Sequence, residues 1–292
     1  MANIVQVLIL GLSLGGVFAL MASGLSLIFG VMRIVNLAHP MLVICGAFLS
    51  YWLFRLYGLD PLLSLPIAAA MMFCVGVILY KLVFERAAKS AKYSEMTVLL
   101  TFALAMVLEG LTGSLFSNTQ RVTSPDYATD AFFFGDVFVP KGQLYAGLVS
   151  IVLIGALALF LKYSRTGYAI RATTQNRDAA ELLGVNVNFI GLIAFGIGVA
   201  LAGAAGSLVS FVFSFFPAKH WEWIAVLMSL VVLGGMGSMV GTVVAAFLLS
   251  VIAAFVGAWV GATWSTMTFF LALFVILLVR PQGLFGEKPE FT

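Results

Sequence analysis

The sequence predicts an all-α, polytopic membrane protein, with a single transmembrane domain over residues 1–292 and about eight or nine crossing helices. Three observations predict this class. Hydrophobic residues make up 62% of the chain and charged residues only 9%, whereas an ordinary globular domain is about 25% charged. Apolar runs of about 20 residues, the length that a helix needs to cross a bilayer, recur along the chain. The alternating segments that are typical of a transmembrane barrel do not occur.

The first apolar run, residues 4–29, predicts a retained membrane span. It contains no Lys or Arg, and the first cation is Arg33. A secretory signal would need a basic n-region and a shorter apolar run. Five more spans follow, at residues 37–56, 62–84, 96–117, 142–161 and 188–213.

The last apolar region, residues 223–279, is long enough for three short spans or for one span and a re-entrant pair. The motifs GGMGSMVG (234–241) and GATW (261–264) interrupt it. We expect a broken or re-entrant helix near 223–258, because backbone groups at membrane depth need protein or water partners. Both alternatives give an odd number of crossings and place the termini on opposite sides. The glycines that mark the break are Gly234, Gly235, Gly237 and Gly241.

Basic residues in short loops are retained in the cytoplasm, which predicts the orientation. With the N-terminus outside and the C-terminus cytoplasmic, 11 of the 15 Lys and Arg residues lie on the cytoplasmic side. Loop 163–187 is then cytoplasmic and loop 118–141 is outside. The net charge of +3 fits basic loops beside anionic membrane lipid and gives no indication of nucleic-acid binding. The cytoplasmic set is Arg33, Lys81, Arg86, Lys89, Lys92, Lys162, Arg165, Arg171, Arg177, Arg280 and Lys288.

Loop 163–187 is predicted to contain a two-turn helix. Residues 177–183 are rich in Ala, Leu, Glu and Arg, which favour helix. Asn176 can cap the start, Asp178 falls in the first turn, and Gly184 can end the helix in the left-handed conformation. Such a short helix is unstable alone in water, so it needs a surface to pack against.

Two alternatives remain open for this helix. It either lies on the membrane or on neighbouring loops, or it docks into a cytoplasmic partner. Its apolar Ala179, Leu182 and Leu183 are residues that a merely solvated loop does not require.

The segment DAAELLG, residues 178–184, resembles the E-A-A-x-x-x-G loop of ABC importer permeases, with Asp178 in place of the usual Glu. The resemblance implies that the short helix inserts into a cleft of an ATPase subunit and transmits its closure to the membrane spans. It assigns to this coupling helix and its flanks Arg171, Asn176, Asp178, Ala179, Ala180, Glu181, Leu182, Leu183 and Gly184.

Five blocks in the same order resemble the branched-chain amino-acid (Liv) permease family, specifically its H-type subunit. They are GLSLGGVFALMASGLSLIFGVMRIVNLAHP (11–40), SRTGYAIRATTQNRDAAELLGVNV (164–187), GIGVALAGAAGSL (196–208), VLGGMGSMVGTVVAAF (232–247) and RPQGLFGE (280–287). One departure is that the family's N-F-A-H-G element ends here in His39-Pro40. Proline has no N–H and a fixed φ. We therefore expect the helix after His39 to begin differently from that of the family, and the substrate to differ with it.

The resemblance implies a permease subunit of an ATP-driven importer in the bacterial inner membrane. It would form half of a translocation path for branched-chain or related amino acids; urea, short amides and aromatic compounds are the alternatives within the family. The implied partners are a second related permease, two ATP-binding cassette subunits and a periplasmic substrate-binding protein. The chain lacks G-x-x-x-x-G-K-[ST], so ATP and Mg²⁺ are expected on the partners. No catalytic, cofactor or metal site is predicted on this chain.

Three polar residues are candidates for the path or a gate. Glu109 lies in the middle of the span 96–117, where an ionised carboxylate is costly, and is expected to face the bundle interior. It either bonds to a neighbouring helix or lines the path. Asn36 and His39 at the inner edge of the second span form either an interfacial cap or a gate. A remote alternative is an ion-coupled secondary transporter that uses Glu109, although the spans show no second acid and no duplicated half.

Small residues recur every fourth position in the first and sixth spans. Such stripes let helices approach closely, and they indicate either plain packing or a path along which helices slide. The two stripes are Gly11, Gly15, Ala19 and Ser23, and Gly198, Ala202, Gly206 and Ser210.

The outer loop 118–141 carries Asp126, Asp130 and Asp136. It is either a solvated loop or, as the resemblance implies, a contact for the binding protein.

Overall fold

The computed structural model describes residues 4–87, 93–135 and 137–286. Lys89, Lys92, Asp136 and Lys288 lie outside the described residues. The first part of the chain forms α1 (Ile4–Met32), α2 (His39–Tyr57), α3 (Pro61–Leu79), a π-helical turn (Tyr80–Phe84), α4 (Glu85–Ala87) and α5 (Tyr93–Phe116). The middle forms α6 (Asp126–Thr129), β1 (Ala131–Phe134), β2 (Val137–Pro140), α7 (Lys141–Tyr163), α8 (Arg165–Gln175) and α9 (Arg177–Leu182). The last part forms α10 (Val187–Val212), a 3₁₀ turn (Pro217–Lys219), α11 (His220–Gly234), α12 (Met239–Trp259) and α13 (Ala262–Val279).

Eight helices in the described residues are long and apolar enough to cross a membrane, which confirms the all-α polytopic class. Six of them match the predicted spans up to Val212. The other two are α12 and α13, which together with α11 fill the last apolar region.

The short helix α11 runs between the two faces of the bundle. It has 15 residues, so it is about 22 Å long, against about 30 Å of hydrocarbon core. Before it, Phe215 exchanges backbone hydrogen bonds of 2.9 Å with Arg121 in the outer loop. After it, Gly237 lies against Gly30 near the end of α1. The apolar region 223–279 therefore contains three helices, α11, α12 and α13, which are separated at 235–238 and at 260–261. The choice between three full spans and a re-entrant arrangement stays a prediction.

The placement of the two termini on opposite sides of the membrane stays a prediction. Which of the two faces is cytoplasmic stays a prediction from the basic residues.

A small antiparallel hairpin in the outer loop was not predicted. In it β1 pairs with β2, with Ala131 opposite Pro140. Gly135 has a φ of 61°, which suits the turn between the strands. Aromatic and β-branched residues favour strand here, but four-residue strands are too short to give a periodic signal.

The helix α10 is the centre of the bundle, packed between α1, α2 and α3. Glycines allow these close approaches. A Cβ on Gly46 of α2 would lie 2.8 Å from the Cα of Gly203 in α10, and one on Gly198 would lie 2.9 Å from the Gly24 oxygen in α1. The first stripe packs against α12 in the same way, with Gly11 beside Val251. The stripes therefore form tight helix contacts; a sliding path along them stays a prediction.

Candidate functional site

The inner loop contains two helices, of which only the second was predicted. Ser164 caps α8, since its Oγ accepts a hydrogen bond of 2.8 Å from the Gly167 N–H. The buried residues Gly167, Ile170 and Thr173 follow at three-residue intervals and pack against the bundle. This spacing and the serine cap were the signals that could have identified α8.

Both ends of α9 are fixed by hydrogen bonds, as its sequence predicts. At the start, Oδ1 of Asn176 accepts from the Ala179 N–H at 3.0 Å. At the end, the N–H groups of Gly184 and Val185 donate to the carbonyls of Glu181 and Ala180 at 2.9 and 3.0 Å. This double closure is a Schellman motif, which needs the left-handed residue that Gly184 supplies with its φ of 85°.

One side of α9 packs on the protein and the other faces outward. Ala180 is buried, whereas Leu182 and Leu183 are 89% and 86% exposed. We call the exposed surface the α9 outer face; it comprises Asp178, Ala179, Glu181, Leu182 and Leu183. Two adjacent exposed leucines suit a helix that lies on the membrane as well as one that docks into a partner, so the docking role stays a prediction.

Arg171 lies on α8 rather than on α9. Its guanidinium carbon lies 4.9 Å above the Tyr168 ring, and its Nη2 donates to the Lys162 carbonyl at 3.4 Å. It therefore ties α8 to the end of α7 and does not form part of the α9 outer face.

The α9 helix is joined to the central helix by four residues, 183–186. Asn186 caps α10 by accepting from the Phe189 N–H at 3.0 Å. On the other side, Nη2 of Arg33 at the end of α1 donates to the Thr174 carbonyl of α8 at 3.3 Å. The α9 helix is therefore connected to α10 through the chain and to α1 through α8.

Known proteins identify the family of this chain. A family model described as "Branched-chain amino acid transport system / permease component" matches residues 7–278. The chain belongs to this permease family. No solved structure matches the chain.

The H-type curated relatives of this permease cover nearly all of its length, and an M-type relative covers less of it. The high-affinity branched-chain amino acid transport system permease protein BraD of Pseudomonas aeruginosa is 29% identical over 98% of this chain and 96% of its own. The corresponding LivH protein of Salmonella typhimurium is 27% identical over 96% and 94%. LivM of Escherichia coli, a permease protein of the same type of system, is 28% identical over 80% of this chain and 60% of its own.

His39 lies deeper in the permease than the predicted inner edge. The Nε2 atom of His39 donates to the Met21 carbonyl of α1 at 3.0 Å, and its ring lies against Gly24. Gly24 is eight residues before the end of α1 at Met32, about 12 Å along the helix. The fully buried His39 therefore packs against the middle of α1.

The α2 helix begins at His39, with Pro40 in its first turn, where a missing N–H removes no helical hydrogen bond. Oδ1 of Asn36 accepts from the Ala38 N–H at 3.1 Å and shapes the approach to this start. Among the described residues, Asn36 Nδ2 and His39 Nδ1 are buried without a hydrogen-bond partner. Their role in gating stays a prediction.

Glu109 faces the start of α11, as expected for a carboxylate that avoids lipid. Its Oε2 accepts a hydrogen bond of 3.1 Å from Nε1 of Trp221 and lies 3.9 Å from Nε2 of His220. Sequence reasoning missed both partners, because they lie more than a hundred residues along the chain. Whether Glu109 lines the path stays a prediction.

The predicted glycine break is a turn between α11 and α12. Gly235 and Gly237 have φ values of 99° and 86°, which residues with a side chain rarely adopt. The C-terminal segment packs on this turn, where the N–H groups of Leu284 and Phe285 donate to the carbonyls of Leu233 and Gly234 at 2.8 and 3.2 Å. The end of α11 is thereby fixed to the C-terminal segment, and Gly241 lies against Gly234.

The outer loop is packed on the bundle rather than freely solvated. The Tyr127 hydroxyl donates to Oδ1 of Asp60 at 3.0 Å. Burial, and next the Asp60 charge, raise the pKa of the Tyr127 phenol, so it remains a donor at neutral pH. Lys141 and Asp130 form an ion pair of 2.8 Å at the base of the hairpin. The hairpin exposes large apolar side chains, among them Phe133, which is 73% exposed.

Proposed function

We propose that this chain is the membrane-spanning permease subunit of an ATP-driven importer of branched-chain or related amino acids. It forms half of the translocation path across the bacterial inner membrane. The family match and the names of the relatives BraD and LivH support this cargo. They favour it over urea, short amides or aromatic compounds, and over an ion-coupled transporter that uses Glu109.

The observation that carries the proposal is the α9 outer face. Leu182 and Leu183 are almost fully exposed, although both ends of the helix are fixed by hydrogen bonds. Burial of one leucine side chain contributes about 2 kcal/mol, so a cleft in an ATPase subunit that covers both would gain affinity and a defined geometry. Asp178 and Glu181 beside them select a cleft with basic residues.

Closure of the ATPase moves α9, and α9 moves α10. The connection between these helices is only four residues long, and the caps at Asn176 and Asn186 restrict their movement relative to each other. Because α10 lies between α1, α2 and α3, its displacement changes several helix contacts at once. The glycine contacts along α10 present smooth surfaces over which it can shift between two packed arrangements.

The remaining subunits complete the transporter. Similarity to LivM supports a second, related permease as the partner in the membrane. Two ATP-binding cassette subunits bind ATP and Mg²⁺ and carry out the hydrolysis, so this chain performs no covalent chemistry and needs no cofactor. A periplasmic binding protein delivers the cargo to the outer face, where the hairpin and its exposed Phe133 are available for contact.

Co-purification from mild detergent tests the docking role. The parent should retain an ATPase pair, whereas Leu183→Asp should lose it, since one lost leucine contact of about 2 kcal/mol weakens association roughly thirtyfold. Phe134→Asp is the matched control, because Phe134 is 68% exposed on the opposite face. Equal ATPase recovery with Leu183→Asp and the parent would contradict the proposal.

A further inference from the structure

A cavity of about 190 Å³ lies between α1, α11, α12 and α13, near the start of α11. Its walls are mainly apolar. The Phe18 ring lies 5.7 Å from that of Phe213 and 5.6 Å from that of Phe269, measured between centroids, and Trp223 and Val226 extend the same wall. The cavity has the size of a small ligand and an aromatic lining that suits an aliphatic group.

An ion pair lies at the rim of this cavity. Nζ of Lys219 is 2.5 Å from Oε2 of Glu222, and their side chains are 25% and 42% exposed. Both residues also line the cavity. One positive and one negative group therefore stand side by side where the apolar space opens to solvent.

A buried hydroxyl inside the cavity lacks a partner. Ser250 is 3% exposed, and its Oγ makes no hydrogen bond within the described residues. A buried polar atom left unsatisfied costs about 1–3 kcal/mol, so such an atom calls for an explanation. A polar group of a ligand in the cavity would supply the missing partner.

We propose that this cavity binds a zwitterionic amino acid with an apolar side chain. The ligand carboxylate pairs with Lys219 and its ammonium group with Glu222, while Ser250 bonds to whichever polar group lies deeper. The aliphatic side chain fills the space beside Phe18, Phe213 and Phe269. An acidic or basic amino acid would place a third, unpaired charge against these rings, which desolvation strongly disfavours.

At this site the imported amino acid would contact this chain, so the inference rests on the proposed function. The site lies at the end of α11 that faces the outer loop, while the other end of α11 is fixed to the C-terminal segment through Leu233 and Gly234. One short helix therefore connects the ligand cavity with the face that carries α9. A shift of α11 during the transport cycle would open or compress the cavity.

Photo-crosslinking of the whole purified complex tests the site without any substitution. The probe is a diazirine analogue of leucine, and cross-linked peptides are mapped by mass spectrometry. We expect labelling within residues 213–226 or at Phe18 or Phe269, which excess L-leucine suppresses and L-glutamate does not. Labelling only elsewhere, or labelling that L-leucine does not reduce, would overturn the proposal; a retained lipid that fills the cavity would appear in this way.

Two variants and a control extend the test. Thr266→Phe fills the cavity from α13 and should weaken L-leucine binding to the complex by more than tenfold. Ser250→Ala removes one hydrogen bond and should weaken it roughly tenfold or less. Thr263→Phe is the matched control, because Thr263 lies on the same helix, is exposed and does not line the cavity. Equal binding by Thr266→Phe and Thr263→Phe would refute the site.

ATP-dependent uptake of L-leucine separates this inference from the proposed function. If the parent complex takes up L-leucine with ATP but is not labelled at the cavity, the site is wrong and the importer function stands. If the parent complex takes up no amino acid, the importer function itself has failed, and competed labelling at the cavity would still establish the site.

Discussion

The carboxylate of Glu109 and the imidazole of His220 face each other across the contact between α5 and α11, with 3.9 Å between Oε2 and Nε2. The other ring nitrogen, Nδ1, donates to the Pro217 carbonyl at 2.9 Å. In a neutral ring Nε2 then carries no proton, and it would meet a carboxylate that also only accepts. The Glu109 carboxylate instead accepts its hydrogen bond from Trp221 Nε1, and Nε2 of His220 is buried without a hydrogen-bond partner among the described residues.

Replacement of Glu109 separates a structural role from ion coupling. Glu109→Gln keeps an acceptor for Trp221 and adds an N–H donor for His220, so we expect near-parental, ATP-driven uptake. Glu109→Ala removes both contacts and should lower the free energy of unfolding by about 1–3 kcal/mol. Uptake assays in vesicles with and without an uncoupler check this. Loss of uptake on adding the uncoupler while ATP is maintained, together with inactive Glu109→Gln, would instead indicate ion coupling.

The Asn176 cap should control coupling efficiency. Asn176→Ala removes the acceptor for the Ala179 N–H and should destabilise α9 by about 1 kcal/mol. We expect more ATP hydrolysed per amino acid transported, because a frayed helix transmits less displacement to α10. Asn176→Asp keeps the cap and serves as the control. The ratio of ATPase rate to uptake rate in proteoliposomes is the measurement, and an unchanged ratio in Asn176→Ala would rule out this role of the cap.

Gly206 should be intolerant of any side chain. A Cβ there would overlap the Val43 carbonyl and the Ala47 nitrogen of α2. Both are backbone atoms, which cannot move unless the helix moves with them. We expect Gly206→Ala to destabilise the detergent-solubilised protein by about 1–3 kcal/mol. Gly155→Ala is the control, since nothing lies within 4 Å of that position. Size-exclusion chromatography after heating compares the two, and equal midpoints would contradict the packing described.

The Tyr127–Asp60 hydrogen bond should anchor the outer loop. Tyr127→Phe removes the donor to Oδ1 of Asp60 and should cost about 1 kcal/mol. Because the pKa of Tyr127 is raised, the phenol keeps its proton, and the bond should persist when the pH rises through the normal range for tyrosine. Protease sensitivity of residues 118–141 at pH 7 and pH 10 is the readout. Parental protection of this loop in Tyr127→Phe would show that the hydrogen bond is not the anchor.

Much of this structure follows from local chemistry and was predictable for that reason. Hydropathy locates the six spans up to Val212, because the transfer of a side chain into hydrocarbon depends little on distant residues. The α9 helix was predicted from Asn176 and Gly184, whose capping bonds reach only three or four residues. The break after Gly234 was visible for the same reason, since glycine alone adopts the required φ values without strain.

The missed features depend on contacts between distant segments. The pairing of Glu109 with Trp221 joins α5 to α11 across 112 residues. The depth of His39 depends on how α2 packs against Gly24 of α1, which hydropathy does not encode. The α8 helix has few strongly apolar residues and was hidden by the charged residues around it. Each miss concerns an arrangement in three dimensions rather than the type of an element.

The exposed leucines of α9 also affect how long an unassembled subunit survives in the cell. Leu182 and Leu183 project from a fixed helix and have no cover within the described part of the chain. Exposed apolar patches of this kind promote aggregation and attract chaperones and proteases. A subunit synthesised without its partners should therefore be short-lived, and its half-life in a pulse-chase experiment should lengthen when the ATPase is co-expressed. The same two side chains that we propose to drive assembly would then ensure that unassembled subunits do not accumulate.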